Sequence, residues 1–228
     1  MSSGPSSPRV SINQLATYLV STPAQRRNII KSAKTPPTFM VNWYDPARQA
    51  INQFVSGGMV DESFLISESA RLLSHPFSSD YEENRLRTNA EAIDAFLDSY
   101  DQIDLAGHTL TLGPSSPPAL NVRGVEISVR PEFLSAGMYR GQQVCGGVKL
   151  YFSKDVPLTD ESAPYITAVL MQHIQAHNQP SGHLARPNSC IVVDVFAGCV
   201  YTAPRATTRR FRDIEVACQE VSLWWAHV

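Results

Sequence analysis

Two side chains in this sequence could do chemistry together. Glu132 follows Pro131, and Lys149 closes the run Gly147-Val148-Lys149, with fourteen residues between Glu132 and Gly147. A carboxylate can hold Mg²⁺, and a lysine can orient an attacking water or stabilise a pentavalent phosphorus. These are parts needed for phosphodiester hydrolysis. A single carboxylate holds such an ion poorly, so a partner is needed. Glu126 stands on the face of Glu132 if the alternation holds. Asp94 and Glu91 lie on the preceding helix. Asp194 interrupts an apolar strand, and a buried carboxylate there needs a partner. Each group also has a plainer reading. Glu132 and Lys149 alone would form a salt bridge, and Asp194 would satisfy backbone N–H groups at the Ala197-Gly198 turn.

The elements that must position these groups are legible from pattern. Helical spacing joins Ile12, Leu15, Ala16 and Leu19. Thr22-Pro23 restarts a helix that Pro36-Pro37 stops, and Asp45-Pro46 starts another that ends at Gly57-Gly58. Asp61 caps a segment reaching Leu73, and a further helix starts near Asp80 with Leu86, Ala90, Ile93, Phe96 and Leu97 inward. After Asp104 the period falls to two. "HTLTL", "NVRGVEISVRP" and "VKLYF" read as three strands, and "GPSSPP" at 113–118 as a loop. A helix from Thr159, the apolar strand "CIVVDVF", the short "CVYTAP" and a last helix complete the chain. A strand–helix–strand passage of this kind suits a parallel pair. Pairing of 122–132 with 144–152 would set Glu126, Arg130 and Glu132 beside Gly147, Lys149 and Tyr151, with Gly147 leaving room for a ligand. The expected fold is α+β: N-terminal helices packed on a mixed sheet, with a C-terminal helix. The expected division is a disordered tail at 1–9, a helical region at 10–79 and an α+β core at 80–228.

Pro131-Glu132 ending one strand and Lys149 on the next, in the order helix–three strands–helix–strand, resemble the PD-(D/E)XK nuclease superfamily. The resemblance spans residues 80–203. It implies a restriction-endonuclease-like core, a Mg²⁺ cofactor, Glu132 and Lys149 as catalytic residues, and Glu132 as a metal ligand helped by Glu126 or Asp94. It further implies nucleic acid as substrate. Gly147 departs from the pattern, because the superfamily usually carries its second carboxylate there. The alternative is a catalytically inactive nuclease-like fold that binds nucleic acid or a protein partner. The chain also resembles a family of bacterial proteins with no assigned mechanism.

Other features carry less. Arg205, Arg209, Arg210 and Arg212 gather at the start of the last helix, where cations oppose the dipole, and their forks suit phosphate oxygens. Arg26, Arg27, Lys31 and Lys34 read as one face of an amphipathic helix. His173 and His177 are four apart, the spacing that lets two imidazoles share a metal, but His173 lies near the apolar stripe and reads as a core histidine. Trp224-Trp225 reads as one core ring and one partly exposed ring. No phosphate loop, dinucleotide glycine fingerprint or nucleophile elbow is present. Hydrophobic residues make up 43% of the 228 and charged residues 18%, enough apolar material for a core. A net charge of −2 leaves any nucleic-acid contact to local patches. Cys145, Cys190, Cys199 and Cys218 lack zinc spacing and are expected as buried free thiols. With no apolar run near 18 residues and no basic-then-apolar start, a cytoplasmic protein without a membrane span is expected.

Overall fold

The structure, a computed structural model, describes residues 7–36, 42–105, 107–204 and 207–228. Pro37, Arg205 and the tail residues 1–6 lie outside the described residues.

The helices fall where caps and stripes put them, except that one expected from Thr159 starts at Ala163: α1 (Ile12–Val20), α2 (Pro23–Lys34), α3 (Asp45–Ser56), α4 (Glu62–Leu73), α5 (Asp80–Leu97), α6 (Ala163–His173) and α7 (Thr207–Trp225). The Thr159 hydroxyl instead accepts from the Glu161 and Ser162 N–H groups in a turn ahead of α6. Ser11 and Gln14 form a reciprocal capping box on α1, which fixes its first residue. Asp61 and Ser79 accept from N–H groups of the first turns of α4 and α5. The fold is α+β, as expected.

The strands are β1 (Arg9–Ser11), β2 (His108–Leu112), β3 (Leu120–Val122), β4 (Val125–Ser128), β5 (Phe133–Tyr139), β6 (Gln142–Tyr151), β7 (Leu184–Asp194) and β8 (Cys199–Thr202). They form a five-stranded sheet, β2-β5-β6-β7-β8, and a three-stranded sheet, β1-β4-β3. The pair β6–β7 is parallel, joined through α6, while β2–β5, β5–β6 and β7–β8 are antiparallel.

Three expectations need correction. Residues 121–131 are not one strand. Arg123 and Gly124 both have positive φ (52° and 80°), which folds the segment into the hairpin β3–β4. Strand β5, which simple alternation does not announce, is the real neighbour of β6, joined to it by a second Arg-Gly turn at Arg140 and Gly141 (49° and 79°). The tail does not reach residue 9: the Pro8 carbonyl accepts from the Glu126 N–H, and Arg9 pairs with Glu126 in the parallel β1–β4 ladder.

Two apolar clusters cover the large sheet, one on each face. One joins α1, α6 and α7 with Cys145, Tyr151, Cys190 and Val192, and the other joins α3, α4 and α5 with Phe133, Val148, Leu150, Ile191 and Val193. Both clusters mix residues from either side of position 80. The four cysteines are free; Cys145, Cys190 and Cys218 are buried, but Cys199 is exposed on the edge strand β8, against expectation. Among the described residues, no helix is long and apolar enough to cross a membrane.

Candidate functional site

Glu132 immediately precedes β5, and the β5–β6 register sets it opposite Lys149. Both are buried: the Glu132 side chain is 1% exposed and that of Lys149 7%. Lys149 Nζ lies 3.3 Å from each Glu132 oxygen. Arg48 of α3 approaches from the far side and donates Nε–H to Oε1 at 3.1 Å, while its Nη1 lies 3.3 Å from Asp45. The result is an alternating chain: Asp45, Arg48, Glu132, Lys149. The guanidinium of Arg48 also covers the Phe152 ring, which stacks on Tyr44.

The pair does a specific backbone task. Pro131 lacks an N–H and β5 begins only at Phe133, so the ladder beside β6 stops short of Leu150. The Leu150 N–H donates instead to Glu132 Oε2 at 2.7 Å, and Lys149 Nζ donates to the Leu150 carbonyl at 2.9 Å. Carboxylate and ammonium together stand in for the missing strand, and satisfy two backbone groups that would otherwise be orphaned in the interior. Burial pushes the Lys149 ammonium below the usual lysine range, and the Glu132 carboxylate pulls it back up.

The Mg²⁺ implied by the resemblance does not fit these residues. Oxygen-ligated divalent ions need several oxygens with free lone pairs. Here one carboxylate already accepts from Arg48, Lys149 and Leu150. Glu126 sits in the other sheet, opposite Arg9 and Asn121. Asp94 is exposed on α5. Among the described residues no three His, Cys, Asp or Glu side chains come together in a metal-holding group, so neither completes a set with Glu132. Glu91 pairs with Lys154. Asp194 is fully buried and accepts from the Leu158 and Ala197 N–H groups at 2.7 Å and 3.2 Å, the plainer of its two readings.

Gly147 does not leave room for a ligand. A Cβ there would lie 3.1 Å from Ile174 Cδ1 and 3.2 Å from the Phe133 carbonyl oxygen. A carboxylate at this position would press an apolar side chain and face a backbone acceptor. The residue that sequence reasoning missed is Arg48. It comes from an element 84 positions away, and no local pattern announces it.

On α7, Arg209 and Arg212 are exposed, and Arg210 lies 5.1 Å over the Tyr165 ring. No carboxylate pairs with these three among the described residues. His173 is fully buried, with Nε2 3.0 Å from the Pro118 carbonyl. Burial holds its pKa below the ordinary histidine value of 6.5, helped by neighbouring His177 and opposed by the Pro118 contact. Between the folded value and 6.5 the unfolded chain binds more protons, so stability falls as pH drops through that window. The unfolding free energy in urea should therefore decline as the pH falls below about 6.5, by at most about 1.4 kcal/mol per pH unit for this ring. His173→Gln should flatten that slope; an unchanged slope would remove His173 as its source.

Compared with known proteins, the chain matches no family model and no curated sequence. Its function must be read from its own residues.

Proposed function

We propose that the chain is a non-catalytic, nuclease-like domain that contacts nucleic acid through the arginines of α7. The order β2-β5-β6-β7, with α5 before it and α6 between β6 and β7, supports the comparison with the αβββαβ core, the hairpin β3–β4 being an insertion. One observation carries the loss of catalysis: the Glu132 carboxylate is consumed by Arg48, Lys149 and the Leu150 N–H. A group so engaged and so buried neither holds a cation nor reaches a phosphate. The packed space at Gly147 supports the same reading.

The binding surface rests on Arg209, Arg210 and Arg212. Cations in the first turns of a helix oppose its dipole, and no carboxylate among the described residues neutralises them. Arginine forks are suited to phosphate oxygens, and such interactions weaken steeply with salt.

The test has two arms. Purified protein with Mg²⁺ or Mn²⁺ should leave plasmid, single-stranded DNA and RNA intact. Cleavage that disappears in Lys149→Ala would reinstate the hydrolase and overturn the proposal. At low salt, Arg209→Ala/Arg212→Ala should weaken DNA binding and reduce the salt slope by about one for each phosphate that is no longer neutralised. Equal binding by the double variant would sink the role of α7. The same non-catalytic core would then be left as a protein-contact module, with exposed Leu223 and Trp224 as its surface.

A further inference from the structure

Helix α6 does not end as an α-helix. Ile174–Asn178 continue it as a π-helical turn. Bonding from i to i+5 widens the turn, so residues four and five apart share one face, and such turns recur at functional sites. Here those residues are His173, His177 and Asn178.

The His173 tautomer is fixed by its surroundings. The Pro118 carbonyl, 3.0 Å from Nε2, can only accept, so Nε2 carries the hydrogen and Nδ1 is a bare lone pair. That Nδ1 is buried and has no partner among the described residues, and neither has Asn178 Oδ1. Buried acceptors without donors are costly unless something electropositive meets them. The His173 and His177 rings stand 5.0 Å apart at 58°. Metal-binding histidines characteristically donate their second ring N–H to a carbonyl, as His173 does to Pro118.

We propose that His173 Nδ1 and His177 hold a divalent transition-metal ion of the Zn²⁺ type, with Asn178 Oδ1 or solvent completing its shell. Imidazole suits zinc, copper and nickel, whereas Mg²⁺ and Ca²⁺ prefer oxygen. No third histidine, cysteine or carboxylate joins the pair among the described residues, so the ion is held more weakly than in a four-ligand structural site. His177 is exposed and gives the ion its entry, while His173 anchors it from inside. Ile174 of the same turn packs against the position of Gly147, so a bound ion would brace the turn against β6.

The test uses the whole chain and Zn²⁺ alone. Calorimetric titration should give one ion per chain, retained in Cys199→Ser, which removes the exposed thiol. His177→Ala should lower the affinity by at least about tenfold, the scale on which even outer-shell losses are felt. This variant alters an exposed ring, so it should fold. Cu²⁺ bound to the wild type should show hyperfine coupling to two imidazole nitrogens, reduced to one in His177→Ala. The proposal fails if the wild type binds no Zn²⁺, the outcome a buried water at the two acceptors would give. It fails equally if His177→Ala binds as the wild type does, or if only Cys199→Ser loses binding.

Discussion

Glu132→Ala is expected to lower the unfolding free energy by about 3–5 kcal/mol, the cost of stripping the partner from a buried charge. The variant leaves Lys149 without its carboxylate, deprives Arg48 of one of its two anions, and orphans the Leu150 N–H. Urea unfolding followed by far-UV circular dichroism would measure it. A second variant separates two explanations. If Glu132 and Lys149 only neutralised each other, Glu132→Leu/Lys149→Met would return close to wild-type stability, as apolar replacements of buried pairs often do. Here both side chains also satisfy Leu150. The double variant should stay destabilised by about 1–3 kcal/mol for each backbone group left unpaired. Recovery to wild type would refute the strand-substituting role.

Gly146→Ala should be the other severe change. A Cβ at Gly146 would lie 1.9 Å from the Ser189 carbonyl oxygen and 2.3 Å from the Ser189 carbonyl carbon. These are backbone atoms of β7, at the irregularity between Cys145 and Gly147 where the two parallel strands shift register. No rotamer relieves the overlap, so one strand must move. The cost should sit at or above the top of the range of about 1–3 kcal/mol seen when a packed interior is overfilled. Gly57→Ala is the control, because its Cβ would meet carbonyl oxygens at 3.4 Å and its φ of −79° suits any residue. Equal unfolding midpoints for the two variants would show that the sheet yields at this point.

The helices were readable because each has a local start signal and a stripe that repeats within its own length. Asp61 caps its helix as read, and Ser11 and Ser79, residues of the same capping type, cap theirs at the starts that the stripes alone indicated. The strands were less readable because alternation does not state where a chain reverses. Arg123-Gly124 and Arg140-Gly141 each build a two-residue reversal, and the usual signal for such a turn is Asn, Asp or Gly at the first position. Arginine there hid one hairpin inside an apparent long strand, and left β5 unrecognised. The meeting of Glu132 with Lys149 was legible, although the strand assumed to carry Glu132 was misassigned. The consequence of their meeting was not legible. It depends on Arg48, on the early end of β5 and on Ile174 filling the space beside Gly147, all matters of tertiary packing.

The Glu132–Lys149 pair also bears on how a ladder can stop inside a protein. A strand that outruns its neighbour leaves free N–H and C=O groups, which at an accessible edge invite another molecule's strand. At Leu150 both groups are already taken by the chain's own side chains, and Pro131 offers no N–H in return. Leu150 is buried rather than at such an edge, so the charges that resemble a catalytic pair act as a plug that closes the ladder from within.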